Sequence, residues 1–244
     1  MKKYYIIACH VLWRELTALA SQQSNIYNFT FLPQGLHNTP EVLRKKVQET
    51  IDTVSEDYDA ILIGYGLCSN GILGIESRSI PLVLMRGHDC ITFLLGSHQQ
   101  YLDIFEKNPG TYWYSPGWIE TGYVPSLEVM EQKRKDFLEK FGKDNADYLM
   151  DMEWQGLRNY NQAIWIDWGM DFVESYKEFT RKTAQDFGWK FLSQVGDTQL
   201  MKDFLCGHWD DDRFITVPPG YKISPTYDDT LLKLEPIDPT TDCD

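Results

Sequence analysis

The stretch TPEVLRKKVQETIDTVSEDYDAILIG, Thr39–Gly64, decides the fold class. Thr39-Pro40-Glu41 places a hydroxyl at an N-cap, a proline whose φ suits the first helical position, and an acid where a helix favours negative charge. Leu43, Val47, Ile51 and Val54 then recur on one face, so the segment reads as a helix with an apolar stripe. Asp59-Ala60-Ile61-Leu62-Ile63-Gly64 follows with an unbroken apolar run. Such a run is expected of a parallel strand covered on both faces, and a helix leading into it is half of a βαβ unit.

The same alternation extends in both directions. Upstream, Tyr4–Ala8 reads as a strand, Val11–Ala20 as a helix with Leu12, Leu16 and Leu19 on one face, and Ile26–Leu32 as a second strand ending at Pro33-Gln34-Gly35. Downstream, Leu82–Met85 reads as a buried strand, and Ser97 precedes a helix through Gln99–Lys107. An aromatic segment, Tyr112-Trp113-Tyr114 and Trp118, leads to a helical region over 126–160 with a break near Gly142-Lys143-Asp144. Ala163–Asp167, Lys190–Val195 and Phe214–Val217 read as strands, separated by helices near Asp171–Phe187 and Thr198–Leu205. The last twenty residues, rich in Pro, Asp and Thr, read as a surface wrap. The expected fold is α/β, a mostly parallel sheet with helices on both faces, in two α/β lobes with a cleft. The expected divisions are an N-terminal lobe over 1–125, connecting helices over 126–160, and a C-terminal lobe with its tail over 161–244.

The chain has 244 residues, 43% hydrophobic and 14% aromatic, enough for a sizeable core. Its 36 acidic and 23 basic residues leave a formal charge of −13, which opposes nonspecific binding to nucleic-acid phosphates or anionic lipid. Asp210-Asp211-Asp212 and Asp228-Asp229 read as solvated surface. No run approaches the roughly 20 apolar residues of a membrane helix, and Met1–Ala8 meets polar sequence too soon for a signal peptide. The expectation is a cytoplasmic protein with no membrane partner. Five cysteines, an odd number, argue for reduced thiols over a disulfide framework.

Three of those cysteines follow strands. Cys9 comes after Tyr4–Ala8, Cys68 after the strand ending at Ile63, and Cys90 after Leu82–Met85. In an open parallel sheet the loops at the carboxyl ends of the strands converge on the ligand site. Any one cysteine is most simply a small buried hydrophobe. Three in equivalent places, each flanked by Gly, His or Asp, point to a shared site. Cys206 and Cys243 lack that placement. Soft thiolates select zinc, Cu(I) or an iron–sulfur cluster over magnesium or calcium. Three of them leave one position open on a [4Fe–4S] cluster, the narrowly favoured centre, or on tetrahedral zinc.

Around these cysteines, His10 and His88 are the nitrogen candidates, with solvent exposure the simpler reading for His10. Asp89 can orient an imidazole, and His88 with Asp89 is the candidate proton-transfer pair. Gly64 and Gly66 would let backbone approach a bound cofactor, and Arg86 would neutralise an anion or pair with one of the many acids. A nucleotide signature is weak, since neither a Walker A sequence nor a true GxGxxG follows the first strand. Core packing is the simpler reading of Tyr112, Trp113, Tyr114 and Trp118.

In Cys9-His10, Gly64-Tyr65-Gly66-Leu67-Cys68, Arg86-Gly87-His88-Asp89-Cys90 with Leu95-Gly96-Ser97, and Pro109-Gly110-Thr111-Tyr112 with Gly117-Trp118, the sequence resembles the domain of unknown function 1638 family. The family carries no reaction to transfer. The resemblance implies a companion of corrinoid-dependent methyltransferase systems in anaerobic bacteria and archaea, and with it a link to one-carbon metabolism. It supports grouping Cys9, Cys68 and Cys90.

The reading reached is a metalloprotein in which Cys9, Cys68 and Cys90 hold a metal or [4Fe–4S] centre with an exchangeable position for a small-molecule substrate, acting in methyl transfer or related chemistry. A second reading is a non-catalytic metal-delivery or accessory protein for a corrinoid methyltransferase system protein. Corrinoid carriage itself lacks the usual DxHxxG pattern. A third is a cysteine-nucleophile enzyme, for which Cys90 beside His88 is the pair that the sequence offers.

Overall fold

The computed structural model describes residues 1–67, 70–122, 124–226, 228 and 230–238. The chain folds as two compact units, one formed by Met1–His98 with Thr198–Asp244 and the other by Gln99–Asp197.

The first unit begins with β1 (Lys3–Cys9), a 3-10 turn over His10–Leu12 and α1 (Trp13–Ala20), followed by β2 (Ile26–Leu32) and α2 (Pro40–Thr53). Pro40 opens α2 as expected, and Leu43, Val47 and Ile51 are its buried face. The Thr39 side chain makes no capping bond; its carbonyl instead accepts from the Val42 and Leu43 amides. Next come β3 (Ala60–Gly64), β4 (Leu82–Met85) and the short α3 (Cys90–Leu95). Every residue of β3 and β4 is buried, which requires cover on both faces of the sheet.

Then α4 (His98–Lys107) leads into β5 (Thr111–Tyr114), α5 (Pro116–Glu120) and α6 (Leu127–Leu157). Gly142, with φ 75° and ψ 173°, breaks α6 into two arms, which Lys133–Glu153 (2.7 Å) and Arg134–Asp147 (2.9 Å) tie together. β6 (Gln162–Asp167), α7 (Glu174–Phe187) and β7 (Lys190–Val195) complete a three-stranded parallel sheet in the order β5-β6-β7. Tyr114, Val124, Ala163, Trp165, Val173 and Ala184 form its core, with Tyr112 and Trp118 packed against it. The aromatic segment is thus core, and its first half is a strand.

The chain returns to the first unit through α8 (Gln199–Cys206) and β8 (Phe214–Val217), and ends in the antiparallel hairpin β9 (Tyr221–Pro225) and β10 (Leu232–Pro236). β8 pairs antiparallel with β4 from Leu82↔Val217 to Met85↔Phe214, giving a five-stranded sheet in the order β2-β1-β3-β4-β8, parallel except for β8. The α/β class and the dominance of parallel pairing agree with the sequence reading. The division of the chain differs from it. Residues 161–244 do not make one lobe, because β6 and β7 complete a sheet begun by β5, whereas β8 covers the free edge of β4. β10 also lies within the segment expected merely to wrap the surface.

Candidate functional site

The order β2-β1-β3-β4 contains a reversal. From β1 the chain moves to β2 on one side, then crosses back to β3 on the other, so β1 and β3 flank a topological switch point, where α/β sheets bind ligands at the carboxyl ends of their strands. Cys9 is the last residue of β1, and Ala8 stands level with Gly64, the last residue of β3. A Cβ on Gly64 would lie 2.6 Å from the Ala8 Cβ, so the close approach of β1 and β3 there requires glycine.

Beyond Gly64 the loop after β3 lies against the loop after β4. The Leu67 amide donates to the Gly87 carbonyl at 3.0 Å, and the Gly71 amide donates back to the Leu67 carbonyl at 2.9 Å. A Cβ on Gly66 would meet the backbone of His88 and Asp89 at 2.7 to 2.9 Å. Both glycines therefore serve contact between chain segments. Because the neighbour of Gly66 is backbone, Gly66→Ala is expected to cost about 1–3 kcal/mol, the usual penalty of overpacking, visible as a lower urea midpoint.

Cys90 opens α3. The Asp89 side chain caps this helix, its Oδ1 accepting from the Thr92 amide at 3.0 Å and the Thr92 hydroxyl at 3.2 Å, and Gly96, with φ 77°, ends it. Both Cys9 and Cys90 are buried, free thiols. Hydrogen bonding from the Cys90 side chain, helped by the Val11 backbone amide, holds the Cys9 thiol below its ordinary range, against burial, which pushes it up. Cys206 goes the other way, raised by burial and by Asp203, and its thiol donates to Gln23 Oε1 at 3.1 Å. Alkylation of Cys9 should therefore reach half its maximal rate at a lower pH than that of an ordinary thiol, and Cys206 at a higher one. Mass-mapped iodoacetamide labelling checks this, and Cys206 titrating below Cys9 would contradict it. With its folded value depressed, the Cys9 thiolate adds stability above the ordinary thiol range, and that contribution is lost as pH falls through the folded value.

Of the three grouped cysteines, then, Cys90 acts on the Cys9 thiol, lowering its pKa. Cys68 lies outside the described residues, one position beyond the tethered Leu67. Among the described residues no group of three or more His, Cys, Asp or Glu has metal-holding geometry. Cys243 and Asp229 also lie outside the described residues.

The other candidates divide by task. His88 is exposed, and its ring centroid lies 5.0 Å from that of His98. His10 packs near Trp13 and Phe31, with centroids at 5.8 and 6.3 Å. Asp89 Oδ1 serves the α3 cap. Arg86 binds backbone: Nε donates to the carbonyls of Asp211 and Phe214, both at 3.0 Å, and Nη1 to those of Thr230 (2.5 Å) and Leu232 (2.7 Å). Partial burial pushes the guanidinium's pKa down, opposed by Asp211, Asp228 and Asp212. In the aspartate run, Asp210 pairs with Arg213 at 2.5 Å, and Asp211 accepts from Arg86 through its carbonyl.

Among the described residues no helix is long and apolar enough to cross a membrane. No curated protein and no solved structure matches the chain. A family model, Protein of unknown function (DUF1638), matches residues 31–205, a span that begins after Cys9 and includes Cys68 and Cys90. Since that span is most of the chain and carries the strand-end segments around Gly66 and Cys90, the protein belongs to the DUF1638 family.

Proposed function

We propose that Cys9, Cys68 and Cys90 hold one soft metal ion with a coordination position left open for a small-molecule substrate. What supports this reading is the placement of Cys9 at the end of β1, beside the switch point of the sheet, and the action of the Cys90 side chain on its thiol. Two thiolates on one tetrahedral ion, with Zn–S bonds of about 2.3 Å, stand about 3.8 Å apart, a separation within the reach of a thiol hydrogen bond. In a [4Fe–4S] cluster each thiolate binds a different iron, which spreads the sulfurs further. Hydrogen bonding from Cys90 to Cys9 thus favours a single ion such as zinc over the cluster. The lowered Cys9 thiol also eases the deprotonation that metal binding requires.

On this reading Cys9, Cys68 and Cys90 would hold the ion, which would supply Lewis acidity toward a thiol or hydroxyl of the substrate, and exposed His88, beside His98, would carry the proton. Asp89 is left to the α3 cap. A role in methyl transfer, alongside a corrinoid methyltransferase system, is the setting that the family resemblance implies. Delivery of the ion to an apo partner is the non-catalytic alternative.

Cobalt tests the open position. Titrating Co²⁺ into reduced, metal-free protein should give a thiolate-to-cobalt charge-transfer band saturating at one ion per chain. A small thiol added afterwards should shift the visible spectrum as it enters the free position. A spectrum indifferent to added thiol would remove the open-site reading, and failure to develop the band would remove the thiolate site.

A further inference from the structure

We propose that two copies of this chain join edge to edge along β2, so that their five-stranded sheets continue into one another. The proposal goes beyond the metal reading and does not depend on it. β2 closes one side of the first unit's sheet and pairs with β1 alone. The Ile26 amide donates to the Lys2 carbonyl at 2.9 Å, and bonding positions alternate along a ladder. Ile26, Asn28, Thr30 and Leu32 therefore turn their main-chain groups toward β1, and Tyr27, Phe29 and Phe31 turn theirs outward. Among the described residues nothing bonds those outward amides and carbonyls. Natural sheets blunt such an edge with charge, proline, a bulge or a short strand. β2 has none of these: it is seven residues long, has no charged residue or proline, and pairs without interruption from Lys3↔Ile26 to Cys9↔Leu32. The opposite edge, β8, has four residues. Side chains hold β2 in place while its outer main chain stays open. The Tyr27 hydroxyl donates to the Leu205 carbonyl at 2.9 Å, Thr30 Oγ1 lies 2.7 Å from the Tyr5 hydroxyl, and Asn28 Nδ2 donates to the Tyr58 hydroxyl at 2.6 Å.

Charge and register select a second copy as the occupant. At −13 each, two copies repel at long range, yet residues 16–40, the longest such run in the chain, contain no Asp, Glu, Lys or Arg. Approach along β2 therefore brings no like charges together, and a charged peptide would find nothing there to pair with. A two-fold axis at Phe29 sets two β2 strands antiparallel and pairs all seven residues. Ile26 then faces Leu32, Tyr27 faces Phe31, Asn28 faces Thr30, and Phe29 faces the second copy's Phe29. The outward groups meet as three hydrogen-bonded pairs, each exchanging two bonds. Tyr27, Phe29 and Phe31 share one face, with ring centroids 6.3 and 5.4 Å apart along the strand, and the axis continues that aromatic row into the second copy. On the other face amide meets hydroxyl. A contact of this kind uses the same patch on both copies and closes as a dimer.

The test is the mass of the whole chain in solution together with hydrogen exchange along β2. Sedimentation equilibrium should give twice the 28.5 kDa of one chain, and peptides covering residues 26–32 should gain protection as dilute monomer is concentrated to dimer. Asn28→Lys combined with Thr30→Lys sets like charges opposite one another at both Asn28–Thr30 pairs and should return the mass to that of one chain. Asn28→Asp combined with Thr30→Asp should do the same, and mixing the two doubly substituted proteins should restore the doubled mass. A single-chain mass for the wild type at its highest soluble concentration would overturn the proposal, whatever other strand the edge takes up. So would a dimer that the paired lysines leave intact, or one in which residues 26–32 exchange as fast as in the monomer. The wild-type mass and exchange decide even if a variant fails to fold.

Discussion

Changing Cys9, Cys68 or Cys90 to alanine is expected to strip nearly the whole metal complement from the purified protein, whereas Cys206→Ala and Cys243→Ala leave it in place. Structural zinc sites bind with about 10–16 kcal/mol, so one of three or four ligands accounts for roughly 3–4 kcal/mol. At about 1.4 kcal/mol per decade, each loss weakens binding by two to three orders of magnitude. Elemental analysis of the five variants beside the wild type reads this directly. Retention of metal in Cys68→Ala, with loss in the other two, would reduce the thiolate set to the Cys9–Cys90 pair. Buried Cys9 and Cys90 also pack, and circular dichroism separates a folded, metal-free variant from an unfolded one.

The second large effect is expected at Arg86. Its guanidinium bonds four carbonyls, and its own amide donates to the Arg213 carbonyl at 2.8 Å. It therefore joins the end of β4 to β8, to the turn before it, and to the strand β10. Hydrogen bonds from a charged donor contribute about 1.5–3 kcal/mol each, but they share one partly exposed side chain, and truncation leaves carbonyls that water reaches in part. Arg86→Ala is expected to cost about 3 kcal/mol, which for a chain of this size lowers Tm by roughly 6–12 °C. Arg86→Lys should recover less than half, because one ammonium on a flexible stem does not reproduce the guanidinium's fixed fork. Thermal unfolding measures both. An unchanged Tm in Arg86→Ala would mean that these bonds do not hold the C-terminal segment.

The destination of Arg86 illustrates what the sequence left hidden. Its partners lie 125 to 146 residues away, and no local pattern reports such a pairing. The antiparallel docking of β8 on β4 was hidden for the same reason, and with it the true division of the chain. By contrast α2, β3 and β4 were legible, because a proline at the helix start, an apolar stripe and continuous apolar runs each have a local cause. α3 was missed since all six of its residues are buried, which erases the helical period; Asp89 and Gly96, its N-cap and C-cap, were the available signals. β5 was masked by the aromatic character of Thr111–Tyr114, which reads equally well as loop or core.

At the site, the place of Cys9 at the end of β1 was visible once that strand was placed. The work of Gly64 and Gly66 was not visible. Sequence shows only that glycine allows close approach; the structure shows the approach to be made by Ala8 and by the His88–Asp89 backbone. Asp89 likewise reads as a polar residue near a histidine until Thr92 is seen to take its carboxylate. Beside the pairing of Cys90 with His88 that the sequence offers, the structure adds the action of the Cys90 side chain on the Cys9 thiol.

The most direct test of the metal centre is elemental analysis, with visible absorbance, of wild-type protein purified without oxygen. About one zinc per chain and no visible band is expected, the composition of a single tetrahedral thiolate site. Iron with sulfide and a broad brown absorbance would contradict the single-ion assignment in favour of a cluster, and protein without stoichiometric transition metal would return Cys9 and Cys90 to the role of buried thiols.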